Sequence, residues 1–311
     1  MSAPRYLIPA VLAALALSAC STTTHRLGAA APGTPVGSAE MEKMIDQPGP
    51  IELDSVASVA WAVPLGGLLN LNAPAAVQAG LANQDEPIVV YAHVLHHPRH
   101  GYFLVDTGVA QSLVDDPAKA GVSWLVRQGL PVSTMKMRKS TAQILHDLPA
   151  PLSGVMLTHM HLDHISGMPE VPDNVPIYVG PGEATHRDMV SIAMQGTIDN
   201  MLKDKAPLQE WPFQPDPQQR FDGIVDVFGD GSVYAISVPG HTAGSTAYLV
   251  RTTHGPVLLT GDTSHTRWGW DHTVEPGDYT DDKPRNLASL RQLKALVADH
   301  PAIEVRVGHQ P

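Results

Sequence analysis

The chain concentrates metal-ligating side chains in one short stretch. Residues 157–168 read LTHMHLDHISGM and place His159, His161, Asp163 and His164 within six positions. On an extended segment, side chains two residues apart point the same way, so the first two histidines could grip one cation together. Asp163 and His164 follow directly, and a turn there would aim them at a second cation. Four residues cannot complete two metal sites, because zinc usually takes four ligands and a catalytic site keeps one position for water.

Other parts of the sequence offer the missing partners. Several short apolar runs rich in β-branched residues end in turn residues, which predicts buried strands. A ligand-type residue follows each run: Asp106 in GYFLVDTG, His159 in GVMLTH, His241 in VYAISVPGH, Asp262 in PVLLTGD and His309 in IEVRVGH. Helix-like stretches lie between these runs, among them KPRNLASLRQLKALVADH. Alternating strands and helices predict an α/β layered fold.

The order HMHLDH, PGHTAGS, GD and GH, preceded by FLVDTG, resembles the metallo-β-lactamase fold superfamily of metallohydrolases over roughly Ile51 to the C-terminus. The resemblance implies a four-layer αββα sandwich with a dinuclear metal site at one edge of its two sheets. It also implies that His159, His161 and His241 hold the first metal. The second would be held by Asp163, His164 and His309. Asp262 would bridge both metals, and Asp106 would support the site from behind the ligands.

Two such cations make hydrolysis the expected reaction. Metal ions about 3.5–4 Å apart can share a hydroxide, whose pKa falls towards 7, and can polarise a substrate carbonyl. Asp163 would lie beside this nucleophile and is the candidate to pass a proton to the leaving group. The expected cofactors are two divalent metal ions, zinc before the others, although histidine and aspartate ligands also suit iron, manganese and cobalt.

The spacing of the motifs favours a lactone or a carboxylic ester as the substrate. The intervals of 77 residues from His164 to His241, 21 to Asp262 and 47 to His309 resemble those of the N-acyl-homoserine lactonase branch. Relatives of that branch carry a tyrosine three residues after the bridging aspartate, where this chain has His265. A neutral imidazole can donate a hydrogen bond, so His265 is the candidate to hold the substrate carbonyl.

Residues 264–282 form a long segment without strand or helix signals, and such loops often border active sites. Trp268 and Trp270 in this segment are therefore expected to form a wall of the substrate pocket. Two alternatives remain open: a β-lactam or thioester hydrolase of the same fold, and an envelope lipoprotein that holds metal without catalysis.

The overall composition excludes one class of partner. Lys and Arg total 20 against 31 Asp and Glu, which gives a formal charge of −11, and no basic cluster is present. Nucleic acid is therefore not an expected partner, whereas a small-molecule substrate is. The sequence does not indicate an oligomeric state.

The N-terminus predicts export and lipidation. Residues 1–19 combine one cation with an apolar run too short to span a bilayer, as in a signal peptide. The tetrapeptide LSAC resembles a bacterial lipobox, which implies a lipid on Cys20, the only cysteine of the chain. Ser21 follows it, which points to the outer membrane, with the protein facing the periplasm. Residues 20–50 are small, polar and rich in Pro and Gly and predict a flexible tether, so the hydrolase domain is expected to span 51–311.

The stretch HVLHHPRHG holds four histidines, His93, His96, His97 and His100. It lies between two strand-like runs and contains Pro98 and Gly101, which predicts a β-hairpin. Its histidines are expected to be solvated.

Overall fold

A computed structural model describes residues 21–129, 131–187 and 189–310. The predicted signal peptide and Cys20 lie outside these residues. The described chain folds into two β-sheets, one of seven strands and one of six.

The seven-stranded sheet contains the strands that precede Asp106 and His159. Its strands are β2 (Glu52–Pro64), β3 (Asp85–His97), β4 (Gly101–Val105), β5 (Lys136–Met137), β6 (Leu152–Met156), β7 (Ile177–Val179) and β8 (Leu208–Glu210). They lie in the order β5-β2-β3-β4-β6-β7-β8. Strands β4, β6, β7 and β8 are parallel, so their carboxyl ends meet at one edge of the sheet.

The six-stranded sheet contains the strands from Ile224 onwards together with one early strand. Its members are β1 (Thr34–Val36), β9 (Ile224–Asp226), β10 (Val233–Ser237), β11 (Thr246–Thr252), β12 (Gly255–Leu259) and β13 (Glu304–Arg306). They lie in the order β1-β9-β10-β11-β12-β13. Strands β10, β12 and β13 run in the same direction, since β11 is antiparallel to both β10 and β12, and β13 is parallel to β12.

Ten α-helices are described. They are α1 (Ser38–Ile45), α2 (Leu65–Leu68), α3 (Pro74–Gln78), α4 (Gln111–Asp115), α5 (Trp124–Gly129), α6 (Thr141–His146), α7 (Leu162–Ile165), α8 (Met189–Met201), α9 (Arg267–His272) and α10 (Lys283–Asp299). Short 3₁₀ segments occur at Val132–Thr134, Met168–Glu170 and Gly261–Thr263. Helix α10 begins as its sequence predicts, with the Asp282 side chain accepting a hydrogen bond from the Arg285 N–H and a proline in the first turn.

Three hydrophobic clusters separate four layers. One cluster lies between the sheets and includes Val105, Met156, Tyr248 and Val250. A second packs helices α4, α6, α7 and α8 on the outer face of the seven-stranded sheet, and a third packs α1 and α10 on the outer face of the other. The predicted αββα sandwich is confirmed.

Side chains alternate along each strand, so one strand contributes to the core between the sheets and to the core beneath the helices. In β10, Val233 and Ala235 point between the sheets, whereas Tyr234 and Ile236 point towards the helices. Strand side chains repeat every two residues, so both faces of a doubly covered strand must be apolar. This is why these strands read as continuous apolar runs.

The N-terminal segment departs from its prediction. Residues 21–50 are not a free tether: β1 pairs with β9, and helix α1 buries Met41 and Ile45 against the six-stranded sheet. Closer to the N-terminus, the Thr23 hydroxyl donates a hydrogen bond of 2.5 Å to the carboxylate of Asp199. The domain boundary at residue 51 is therefore wrong, because the apolar pair in α1 and the backbone pairing of β1 attach this segment to the core.

The predicted hairpin is present, but two of its histidines are buried. Strands β3 and β4 pair around residues 98–100. His93 is buried, and its Nδ1 lies 2.6 Å from the Ser55 hydroxyl. His97 is also buried, and its Nε2 lies 3.0 Å from an Asp230 carboxylate oxygen. The expectation of four solvated histidines is wrong for this pair, since alternate residues of β3 face the core. Among the described helices, none combines the length and apolar character needed to cross a bilayer.

Candidate metal centre

The ligand-type side chains meet because strands of both sheets end at one edge. His159 follows β6 of the seven-stranded sheet, and the turn after it leads through His161 into helix α7. His241, Asp262 and His309 follow β10, β12 and β13 of the other sheet. Residues distant in sequence therefore converge where carboxyl ends of parallel-running strands lie side by side.

The first group consists of three histidines. The ring nitrogens of His159, His161 and His241 lie within 4.8 Å of one another. The Nε2 atom of His241 is 3.2 Å from Nε2 of His159 and 2.9 Å from Nδ1 of His161. These are the three side chains expected to hold one metal.

The second group combines two carboxylates with two histidines. Ligand atoms of Asp163, His164, Asp262 and His309 lie within 4.8 Å of one another. The Asp262 Oδ2 atom is 3.2 Å from Nε2 of both His164 and His309, and Asp163 Oδ2 is 3.3 Å from Nε2 of His309. The structure thus brings all seven expected ligands together in two adjacent groups.

Asp262 lies between the two groups. Its Oδ2 atom is also 3.5 Å from Nε2 of His241 and 3.7 Å from Nε2 of His159. Its Oδ1 atom is buried and has no hydrogen-bond partner among the described residues. A Cβ atom at position 308 would lie 2.1 Å from that Oδ1, so only glycine allows Asp262 to approach this closely.

The outer ring nitrogens of the ligands are held by fixed acceptors. Nδ1 of His164 lies 2.8 Å from Oδ2 of Asp106, and Nδ1 of His309 lies 3.1 Å from the Val89 carbonyl oxygen. A neutral imidazole donates from one nitrogen and carries a lone pair on the other, so both rings present an Nε2 lone pair to the centre. Inward lone pairs around the buried Oδ2 of Asp262 are the donor set that divalent cations need, so these residues fit two metal ions.

Asp106 has the supporting role that was predicted. One carboxylate oxygen accepts a 2.8 Å hydrogen bond from the Thr158 N–H, and the other accepts one from the Thr158 hydroxyl. Asp106 adopts a left-handed backbone conformation with φ 56°, which aspartate tolerates better than most residues. The carboxylate therefore fixes both the strand end before His159 and the orientation of His164.

Comparison with known proteins agrees with this geometry. Residues 85–309 match the family model of the metallo-beta-lactamase superfamily. The chain belongs to this superfamily. In accord with this membership, it is a metal-dependent hydrolase.

Two N-acyl homoserine lactonases called AttM are among the relatives. The protein from Agrobacterium fabrum strain C58 is 30% identical over 235 residues, which cover 73% of this chain and 84% of that protein. The one from Azorhizobium caulinodans is 28% identical over 237 residues with the same shares. Among solved structures, a quorum-quenching N-acyl homoserine lactone lactonase aligns with a TM-score of 0.58 at 20% identity, over 86% of this chain and 94% of that one. AidC, a dizinc quorum-quenching lactonase, aligns with a TM-score of 0.53 at 15% identity, over 91% and 92%.

The histidines of the centre fall into two classes, because burial and neighbouring charges shift their pKa values in opposite directions. Burial lowers the pKa of His161 to about 4 and lowers the pKa values of His159 and His241 well below the usual range. Burial also opposes charge on His164 and His309, but the neighbouring carboxylates, Asp262 foremost, raise the pKa of both. The protein without metal therefore favours positive charge beside Asp262, which is where bound cations would replace protons.

Glu183 is a site residue that the sequence reasoning missed. It is buried after β7, where one carboxylate oxygen accepts a 2.6 Å hydrogen bond from the Met160 N–H. The other oxygen accepts bonds from the Thr242 hydroxyl at 2.6 Å and the Gly244 N–H at 2.9 Å. Glu183 thus joins the loop carrying His159 and His161 to the loop carrying His241. Its position after an apolar run, in IYVGPGE, was the available signal.

The segment after Asp262 borders the centre as expected, but through contacts to a ligand rather than through a tryptophan wall. It contains helix α9, and its later part braces a ligand: the Thr280 hydroxyl lies 3.0 Å from Nδ1 of His241, and the Asp281 N–H donates to the His241 carbonyl. Tyr279 packs its ring over Gly67 at the protein surface. The segment therefore holds His241 in place.

The two tryptophans do not form the expected wall together. Trp270 is buried in the cluster beneath helix α10, with the Lys294 ammonium 5.7 Å from its ring centre, so its assignment to the pocket is wrong. Trp268 stacks on His272 at 4.0 Å and packs against the cluster around α2 and α3. Helical spacing explains the split, because residues two apart in α9 face opposite sides.

His265 lies inside the centre, but with a ring orientation that the sequence did not show. It is buried with its Nε2 3.0 Å from Oδ2 of Asp262, and its Nδ1 lies 2.9 Å from the Leu68 carbonyl oxygen. The carbonyl requires a donor, so Nδ1 carries the hydrogen of the neutral ring. The expected hydrogen bond from His265 to a substrate is therefore not available from Nε2 of this tautomer.

Proposed function

We propose that this chain is a dinuclear metal-dependent lactonase. The observation that carries the proposal is the single Asp262 oxygen facing two adjacent ligand groups, since a bridging carboxylate places two cations side by side. Histidine and aspartate ligands suit zinc, the metal named for the solved lactonase AidC. When bound, such a pair supplies a nucleophile from water at neutral pH and polarises a carbonyl.

Asp163 is the residue that would move the proton. Its side chain is 22% exposed, whereas that of Asp262 is 3% exposed. Asp163 therefore borders both the ligand cluster and solvent. Opening a lactone releases an alkoxide that must be protonated, and a carboxyl group at the mouth of the site can deliver the proton and regain one from water.

An apolar cavity next to Asp163 supports the proposal that the substrate carries an acyl chain. It measures about 60 Å³ and is lined mainly by apolar side chains, with Asp163 and Ser166 at one side. Its apolar lining includes Trp61, Val90, Val109, Leu113, Met135 and Leu162. Transfer of methylene groups from water into such a cavity favours binding by about 0.8 kcal/mol each.

Trp61 adds a polar feature to this cavity. Its Nε1 atom is buried and has no hydrogen-bond partner among the described residues. A buried donor without a partner costs about 1–3 kcal/mol, which a ligand carbonyl would recover. An acyl chain joined through an amide supplies such a carbonyl, and the AttM relatives are N-acyl homoserine lactonases. We therefore favour an N-acyl homoserine lactone over a simple ester.

A substrate panel tests the proposal. The zinc-loaded protein is assayed with N-acyl homoserine lactones of several chain lengths, simple lactones, aryl esters, a thioester and a β-lactam. We expect the highest kcat/KM for an N-acyl homoserine lactone. Faster turnover of the β-lactam or the thioester would reject the assignment, and two bound metals without turnover of any member would indicate a metal-holding protein.

Trp61→Phe tests the amide contact. The variant keeps an aromatic ring but loses the donor and part of the indole, so we expect KM to rise about 5- to 10-fold for an N-acyl homoserine lactone. A lactone with an alkyl chain and no amide is the matched control and should keep its KM. An equal change for both substrates would show that Trp61 contributes shape alone.

A further inference from the structure

His265 occupies a place that none of the seven expected ligands fills. Its imidazole stacks near His309 with ring centres 5.6 Å apart and meets His241 edge-on at 4.9 Å. Ligand atoms of His241, Asp262 and His265 lie within 4.8 Å of one another and all three residues are buried. His265 thus shares a face of the centre with one member of the first group and with the bridging carboxylate.

The tautomer of His265 limits what it can do. The Leu68 carbonyl oxygen, 2.9 Å from Nδ1, is an acceptor only, so the hydrogen of the neutral ring is on Nδ1. The lone pair is then on Nε2, which points to Asp262 Oδ2 at 3.0 Å. Two lone-pair atoms at this distance repel each other unless a hydrogen or a cation lies nearby. The same arrangement, an outer nitrogen held by a backbone carbonyl and an inner lone pair, is found for His309.

We propose that His265 is an eighth metal ligand, bound through Nε2 to the cation that His159, His161 and His241 hold. This inference rests on the dinuclear centre of the proposed function and concerns metal binding rather than the substrate. With Asp262 as the bridge, the first cation would have five protein ligands and the second would keep four. The first cation would be the more tightly held, and the second would keep more room for water and substrate.

Cobalt substitution tests the proposal without a substrate. The Co²⁺-loaded protein is compared with His265→Asn, which retains a donor for the Leu68 carbonyl but has no imidazole. We expect the variant to absorb more strongly in the visible range, because Co²⁺ gains intensity as its coordination number falls. We also expect chelator competition to show a loss of affinity of about 10-fold or more for one of the two cations.

Two further measurements keep the outcome clear. His272→Ala removes an exposed imidazole close in sequence and should leave the spectrum and both affinities unchanged. In the unaltered Co²⁺ protein, shifted N–H proton signals should report six ligand imidazoles. Five such signals, or an unchanged spectrum and affinity in a folded His265→Asn variant, would overturn the assignment. Failure to turn over lactones would reject the proposed function alone, whereas failure to bind two cations would reject both.

Discussion

Two carboxylates of the centre have the same chemistry and different surroundings. Asp163 borders solvent and Asp262 is enclosed by imidazoles, so only Asp163 can exchange protons with water. We expect Asp163→Asn to retain the fold and to lower kcat by about 10²- to 10⁴-fold. Asp262→Asn is the matched variant and should act first on metal content, because a bridge without charge holds two cations poorly. Metal analysis and kcat at saturating zinc distinguish these effects, and near-normal kcat in fully loaded Asp163→Asn would exclude it as the proton donor.

His93 provides a pH-dependent contribution to stability. Burial, together with Arg306 and His164, lowers its pKa to about 3, and its Nδ1 faces the Ser55 hydroxyl at 2.6 Å. The unfolded chain binds a proton at His93 below about pH 6.5 and the folded chain does not. The stabilising contribution is therefore complete above that pH and is lost as the pH falls towards 3.

His93→Gln keeps an acceptor for Ser55 and removes the titration. Urea unfolding of the metal-free proteins should show the stability of the original chain falling more steeply than that of the variant, by about 1.4 kcal/mol per pH unit between pH 6 and 4. His96→Gln, on the same hairpin but partly exposed, is the control and should follow the original chain. Parallel curves for the original chain and His93→Gln would show that His93 does not titrate on unfolding.

For single residues, the sequence predicts well which side chains are metal ligands and predicts poorly how their rings are oriented. The HMHLDH spacing is local, so alternation alone pairs His159 with His161. The tautomer of His265 depends on Leu68, which lies 197 positions away in the sequence. No local pattern shows that contact.

At the scale of structural elements, a single buried carboxylate connects loops that carry metal ligands. Glu183 is the connection between two of these loops, and its burial raises the pKa of its carboxyl group. Hydrogen bonds from Met160, Thr242 and Gly244 act against that shift. The anionic form accepts three hydrogen bonds here, whereas an amide can accept at one atom only.

Glu183→Gln should therefore loosen the ligand loops. We expect zinc affinity to fall about 10- to 100-fold, as for other residues that orient metal ligands. Glu170→Gln is a matched control, because Glu170 also accepts backbone N–H bonds from two separate segments, at Gln111 and Ala142. Both variants should lose some thermal stability. Equal zinc affinities in the two variants would show that Glu183 has no particular role at the centre.

Strands could be predicted where an apolar run is buried on both of its faces. They could not be predicted where a short strand pairs with a partner far away in the sequence. Strands β4, β10 and β12 follow from their apolar runs, and α10 follows from the helix-like stretch KPRNLASLRQLKALVADH. Strand β1 is only Thr34–Val36, and its pairing with β9 depends on a partner about 190 residues away in the sequence. A composition rich in Pro and Gly predicted a flexible tether here and did not reveal that the segment is attached to a sheet.

For the whole molecule, the centre exists only because two sheets pack together. His159, His161, Asp163 and His164 follow a strand of one sheet, whereas His241, Asp262 and His309 follow strands of the other. Bound cations would thus link both halves of the sandwich. The fold class could be predicted from the resemblance, since the motif order reflects this convergence of strand ends.

The attachment of residues 21–24 changes what a lipid on Cys20 would mean. The Gln195 side chain donates a 2.7 Å hydrogen bond to the Ser21 carbonyl, and Asp199 accepts bonds from Thr23 and Thr24. The lipid-bearing residue would therefore adjoin a segment bound to helix α8 rather than a tether of thirty residues. An anchored protein would be held close to the bilayer surface.

Localisation remains a proposal, and Cys20→Ala tests it. We expect the full-length protein, expressed in a bacterium with lipoprotein processing, to be found with the outer membrane and to carry a lipid detectable by mass spectrometry. Cys20→Ala cannot be acylated and should leave the membrane fraction, because the acyl chains on Cys20 are the proposed anchor. Ser21→Ala, which retains the cysteine, serves as the control for processing. Because neither Cys20 nor Ser21 is among the ligands of the metal centre, both variants should retain zinc and kcat. Membrane association of Cys20→Ala equal to that of the original chain would contradict the lipobox assignment.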